Sequence, residues 1–177
     1  MDPRLQEVID HHQIRKLMAE YAHGCDRADT VRMASVYADE SWDDHGPNKC
    51  DGRQFAALMT ADIARNHTVC SHQLGQSLIT ISGDRAGVET YFIATVRGRP
   101  GDQGDVVHQL GGRYVDTLER SGDGWLVKQR VCVREWSISH PVAADWLATA
   151  RFVESRLGPD DPAYAALAIR HHGLPSE

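Results

Sequence analysis

Hydrophobic positions near the start of the chain recur every three or four residues. Ile14, Leu17, Tyr21 and Cys25 fall on one face of a helix. Asp2-Pro3 opens it, an acid at the N-cap followed by proline at the first helical position. The pattern stops at Asp26-Arg27-Ala28-Asp29, where Asp29-Thr30 is placed to cap a second, shorter helix. The buried stripe of that helix is expected to be Val31, Ala34, Tyr37 and Ala38. A short strand over 41–45 follows and ends at Gly46-Pro47, and 53–65 returns to the helical period with Phe55, Leu58, Met59 and Ile63.

From Thr68 the period changes to that of strands. Residues 69–81, 87–97, 106–118 and 125–138 are rich in Val, Ile, Thr, Tyr and Trp. Ser82-Gly83-Asp84 and Ser121-Gly122-Asp123-Gly124 read as hairpin turns, while Gly98-Arg99-Pro100-Gly101 begins a longer loop. Helices first and an antiparallel sheet afterwards is an α+β order. Beyond Pro141 a helix is predicted over 142–157, carrying Trp146, Leu147, Phe152 and Val153 and stopped by Gly158-Pro159. Asp161-Pro162 opens one more, through residue 169. The organisation expected is one domain over 1–140, with 141–177 as a C-terminal helical extension packed on the sheet or on a neighbouring subunit.

Composition narrows the function classes. A chain of 177 residues, 41% hydrophobic and 25% charged, is that of one ordinary globular domain with its own core. Nineteen Lys and Arg against 25 Asp and Glu give a net charge of −6, which argues against a nucleic-acid surface. No apolar run is long enough to cross a bilayer, and the first residues lack the cationic start and apolar stretch of a signal peptide, so a cytoplasmic protein is expected. The four cysteines, Cys25, Cys50, Cys70 and Cys132, form no CxxC pair and read as reduced packing thiols.

The ten histidines bear more on chemistry. His72 alternates with Cys70, Leu74 and Leu78, the more apolar face of its strand, and should point inward. It reads either as a base or as a core histidine tied to a carbonyl. Asp26 ends the first helical pattern, and it is either a partner for such a base or a corner carboxylate paired with Arg27 or Arg32. Tyr21, five residues earlier, lies about 140° round an ideal helix from Asp26, so the two converge only if the helix breaks near Cys25-Asp26. Asp43 and His45 share one face of their strand, Trp42 and Asp44 the other; one face lines a cavity mouth or the whole is a solvated strand end. His108, Arg130, Trp42, Phe92 and Trp136 are candidate substrate-binding or wall residues, each of which also has an ordinary reading as core or surface. A metal centre of His23, Asp26, His45 and His72 is not expected, because no HxH or HExxH spacing is present. A nucleophile elbow and a Gly-rich phosphate loop are missing too.

The opening helix IRKLMAEYAHGCDRAD, the strand YADESWDDHG, the segment VCSHQLGQSLI and the terminal strand GWLVKQRVCVREWS together resemble the SnoaL-like branch of the nuclear-transport-factor-2-like superfamily. That branch includes scytalone dehydratase, hexachlorocyclohexane dehydrochlorinase and bile-acid 7α-dehydratase. The resemblance covers roughly residues 5–140 and implies a cone-shaped α+β fold. It carries over Asp26 as the family's acid, His72 as its catalytic histidine and Tyr21 as a tyrosine found in some members. It further implies a cofactor-independent lyase, of dehydratase type, acting on a small apolar cyclic substrate. The resemblance implies a homo-oligomer, a trimer first and a dimer as the alternative. An isomerase or polyketide-cyclase-like reaction would use much the same groups. A non-catalytic subunit, like the small subunit of a ring-hydroxylating dioxygenase, or a small-molecule binder would use the fold alone.

Overall fold

The computed structural model describes residues 2–99, 105–142 and 149–171. Helix α1 runs Pro3–Asp26 and starts where the Asp2 carboxylate accepts from the Arg4 backbone N–H at 2.9 Å. Its inward face carries Ile14, Met18, Tyr21 and Cys25, all buried. The helix continues unbroken to Asp26, and the chain turns just after it through Ala28, in the left-handed region at φ 53°, with Asp29 N–H donating to Gly24 O at 2.8 Å. Helix α2, Thr30–Ala34, is capped by Asp29 as expected. Its buried residue is Met33, however, and Val31 is exposed. Tyr37 and Ala38 are buried as members of strand β1, Tyr37–His45, not of the helix. Strand β1 starts earlier than its own pattern predicts because Tyr37 pairs with Val127, a partner ninety residues away in sequence that local periodicity cannot reveal.

A turn at Gly46-Pro47 leads to β2, Asn48–Cys50, and Asp51 then caps α3, Gly52–Asn66, accepting from the backbone N–H of Arg53 and of Gln54. Phe55 and Ile63 enter the core while Leu58 faces outward. Four long strands follow: β3 His67–Ser82, β4 Arg85–Gly98, β5 Val106–Ser121 and β6 Gly124–Pro141. The sheet order is β2-β1-β6-β5-β4-β3, antiparallel except for the parallel pair β1–β6. α1 and α3 pack across it. This is the α+β fold expected, with the core between helices and sheet.

Two bulges redirect side chains. Between Leu74 and Ser77, β3 gains one residue relative to β4. Because strand side chains alternate, one extra residue reverses the inward set: Cys70, His72 and Leu74 face the helices before it, Ile79 after it. Leu78, expected beside His72, therefore points out and is 69% exposed. A second shift lies where Gly111 and Gly112 pair with Trp136 and Arg134.

The C-terminal segment departs most from expectation. Trp146 and Leu147 lie outside the described residues, and 149–157 contains no helix. α4 is a single short helix, Pro162–Ala166, capped by Asp161. The segment is held by polar anchors at the α1–α2 corner instead of an apolar helical face, which is why Phe152 and Val153 remain exposed. Gly158 N–H donates to Arg27 O at 2.9 Å, Asp161 pairs with Arg27 at 3.5 Å, and Tyr164 donates its hydroxyl to Asp29 at 3.2 Å.

Candidate active site

A cavity of about 150 Å³ lies between the helices and the inner face of the sheet. Tyr21 and Cys25 of α1 and Phe55, Met59 and Ile63 of α3 form one side. Cys70 and His72 of β3, Phe92 of β4, Tyr114 of β5 and Cys132 of β6 form the other, and His45 of β1 closes one end. Phe92 is stacked on Tyr114 with ring centroids 4.2 Å apart, which makes this part of the wall aromatic. The lining is apolar apart from a few convergent groups, the usual make-up of a small-molecule site.

Asp26 and His72 are in contact. The Asp26 carboxylate accepts twice from His72, from the backbone N–H at Oδ2 (2.9 Å) and from ring Nδ1 at Oδ1 (2.6 Å). Neither Arg27 nor Arg32 pairs with that carboxylate: Arg27 reaches the Asp26 carbonyl, Ser155 and Asp161, while Arg32 pairs with Glu20 and Asp29. Burial pulls the His72 imidazole down, but the hydrogen bonds to Asp26 and Cys70 outweigh it, and its pKa is pushed up to about 9. For Asp26 burial raises the carboxyl, and the bonds from His72 outweigh that and hold it below the ordinary carboxylate range. A carboxylate on Nδ1 fixes the tautomer and leaves Nε2 for exchange with a substrate.

Tyr21 does not meet Asp26. The unbroken helix turns the two apart, Asp26 toward β3 and Tyr21 toward β1 and β5, and they serve the same cavity from different sides. The Tyr21 hydroxyl lies 3.4 Å from Nε2 of His45, and burial pushes its pKa well above the usual phenol range, so it stays protonated as a donor.

Of the wall residues predicted from sequence, Phe92 is in place. Arg130 is not a cavity residue. It is wholly buried beneath the cavity, sandwiched between the rings of Tyr21 (4.1 Å) and Tyr114 (4.4 Å), with Asp116 held bidentate at 2.8 and 2.7 Å. Its charge is matched by that carboxylate, so it is not an anion site for a substrate. Trp42 is 45% exposed on the outer face, because the opposite face of β1 turns inward. The bulge in β6 carries Trp136 to the outer surface, where its indole lies over Gly111; a Cβ there would sit 2.1 Å from the ring. His108 is exposed beyond the cavity, bonded to Ser139 at 2.8 Å.

Sequence reading left the inward face of β1 open. That face holds Asp43, fully buried, which accepts from the Tyr37 hydroxyl and from Nδ1 of His45. The His45 ring is stacked on Phe55 at 4.2 Å. The shared face was legible in the alternation of Asp43 and His45. Its inward direction was not, because it depends on β1 pairing with β6, where Asp43 stands opposite Arg130.

Sulfur atoms of Cys25 and Cys70 and a nitrogen of His72 lie within 4.8 Å of one another, a closeness the scattered cysteine spacing did not predict. Hydrogen bonding accounts for it: the Cys70 thiol donates to Asp26 Oδ1 at 3.5 Å, and the pKa of that thiol is pushed far up by its bond to Cys25 and by burial. The Cys70 thiol so held is a packed neutral group. His23, grouped with Asp26 on paper, packs instead against Tyr164 with ring centroids 5.3 Å apart. A larger open groove of about 530 Å³ beside the start of α1 is occupied by the Arg120–Asp10 pair, at 2.9 Å, and holds no comparable acid–base group in contact.

The SnoaL-like domain family model matches residues 6–131. No curated protein matches the chain. Among solved structures, a candidate scytalone dehydratase from Novosphingobium aromaticivorans is similar, with TM-score 0.67 at 19% identity over 79% of this chain and 97% of that one. A hexachlorocyclohexane dehydrochlorinase, LinA-type3 from Novosphingobium barchaimii, gives TM-score 0.68 at 16% identity over 85% and 99%. The β subunit of a candidate aromatic-ring-hydroxylating dioxygenase from N. aromaticivorans gives 0.58 at 19% over 75% and 92%. At these identities the structures speak to the fold, and the family model to the lineage. Both lead to one assignment, that this chain belongs to the SnoaL-like domain family of the nuclear-transport-factor-2-like superfamily.

Proposed function

We propose that the protein is a cofactor-independent lyase of dehydratase type, catalysing β-elimination on a small apolar cyclic substrate. The observation that carries this reading is the Asp26–His72 pair, held by two hydrogen bonds at the wall of an apolar cavity. His72 takes a proton from the carbon next to an activating group, through Nε2. Asp26 orients the ring and stabilises the imidazolium that forms. Tyr21 donates a hydrogen bond to the oxygen that gains charge. An apolar cavity of about 150 Å³ is enough for a ring the size of benzene, which sets the scale of the substrate. The neighbours named for dehydration and dehydrochlorination favour elimination over other uses of the same base. The reading takes a small molecule as the ligand and a trimer of this chain as the assembly.

The test is exchange of the α-hydrogens of cyclohexanone in D2O, followed by NMR. The wild type should exchange them faster than buffer, and His72→Ala should fall to the buffer rate while keeping its circular dichroism. Exchange that is undiminished in His72→Ala would remove His72 as the base. No exchange in the wild type would favour the binder or subunit reading suggested by the dioxygenase β-subunit likeness.

A further inference from the structure

The cavity contains a second histidine–carboxylate pair that the base mechanism leaves unused. Asp43 is fully buried, and His45, with 14% of its side chain exposed, lines the cavity. Asp43 is pinned on its far side by the Tyr37 hydroxyl, so it holds Nδ1 of His45 in one orientation. The other nitrogen, Nε2, faces the Tyr21 hydroxyl at 3.4 Å, the long end of hydrogen-bond range. Catalytic hydrogen bonds are often long before a substrate closes the site. β1 and β3 are separated in the sheet by β6, β5 and β4, so His45 and His72 reach the cavity from different strands well apart in the same sheet.

We propose that Tyr37–Asp43–His45–Tyr21 is a proton-delivery chain to the leaving group, which gives the site an acid as well as a base. The inference rests on the lyase reading and deepens it: such a chain serves a leaving group that needs a proton, as hydroxide does, and a small cyclic β-hydroxy ketone is a probe that carries one. In the step proposed, His72 Nε2 takes the α-hydrogen as a proton and the C–H electron pair becomes the new C=C bond. The β-carbon–oxygen bond breaks, and its electron pair leaves on oxygen. In this scheme His45 enters as the imidazolium, Nδ1–H on Asp43 and Nε2–H toward Tyr21. Tyr21 gives its hydroxyl proton to that oxygen, forming water, and recovers one from Nε2 of His45. His72 finishes with one proton more and His45 with one fewer, and exchange with solvent resets both. Tyr21 touches the substrate in this scheme; His45 acts behind it, and Asp43 is a positioning residue. The competing account is that His45 merely satisfies a buried carboxylate.

Leaving-group dependence separates the two accounts. Hydroxide leaves poorly without a proton and chloride leaves well, so elimination from 3-hydroxycyclohexanone and the equally small 3-chlorocyclohexanone is followed by absorbance of the common enone product. His45→Gln should lower the ratio of hydroxy to chloro rates by about 100-fold or more, and Asp43→Asn should lower it in the same direction. The ratio does not depend on how much of a variant is folded. His72→Ala should lower both rates together. An unchanged ratio in His45→Gln would overturn the delivery chain while leaving the base in place. Wild-type rates equal to buffer, or rates indifferent to His72→Ala, would overturn the lyase reading and this inference with it.

Discussion

At the scale of single residues, the site is organised by buried charges that are each matched. Arg130 keeps its guanidinium in the core only because Asp116 takes two of its donors and two tyrosine faces take its charge. Asp26 and His72 stabilise each other in the same way. The His72 imidazole has its pKa raised from 6.5 to about 9 in the folded protein, so the stability it contributes is fully present below about pH 6.5 and is lost as pH rises toward 9. A shift of that size corresponds to about 3 kcal/mol. Denaturant unfolding across this window should show the decline, and Asp26→Asn should flatten it. In the same variant an NMR titration should find the His72 pKa lower by about a unit or more. A His72 pKa that ignores Asp26→Asn would mean the contact carries no coupling. The base form needs Nε2 free of its proton, so cyclohexanone exchange should rise with pH up to about 9.

At the scale of elements, the site depends on where helices stop and where strands slip. α1 ends at Asp26 because Ala28 takes the left-handed conformation and Asp29 bonds back to Gly24. Gly24 also lets α2 approach: a Cβ there would lie 2.6 Å from the Met33 backbone nitrogen. Gly24→Ala should gain about 1 kcal/mol of helix propensity but lose about 1–3 kcal/mol to overpacking against backbone. The expected outcome is a lower denaturation midpoint with an unchanged slope, and a raised midpoint would show that the corner yields. The bulges in β3 and β6 have the opposite effect on function, since each moves a large apolar side chain, Leu78 and Trp136, away from the cavity. Neither bulge leaves a mark in local periodicity, because a bulge is defined by the partner strand.

For the whole molecule, the C-terminal segment closes back on the corner that presents Asp26. Tyr164 donates to Asp29, which is fully buried and also caps α2. Tyr164→Phe leaves that carboxylate short of a donor and should cost about 1–3 kcal/mol, read as a lower thermal midpoint. An unchanged midpoint would mean that the segment is docked without contributing to stability. Among the described residues no helix is long and apolar enough to cross a membrane.

The sequence by itself determined most of the elements up to Pro141 and the chemistry at hand. Helix caps at Asp2, Asp29 and Asp161, the four long strands and the α+β order are written in local spacing, because caps and periodicity act over a few residues. His72, Asp26, Tyr21 and Phe92 were named as candidates, three of them through a family resemblance; local pattern placed His72 and Tyr21 on inward faces and left Asp26 open to a corner pairing with Arg27 or Arg32. Only the tertiary structure decided which groups meet. It brought Asp26 to His72 across 46 residues of chain and turned Asp43 and His45 inward opposite Arg130. Arg130 went beneath the cavity, and Trp42, Trp136 and His108 stayed outside it. These outcomes depend on strand partners, bulges and matched buried charge, which are relations between distant segments, and no local pattern encodes them.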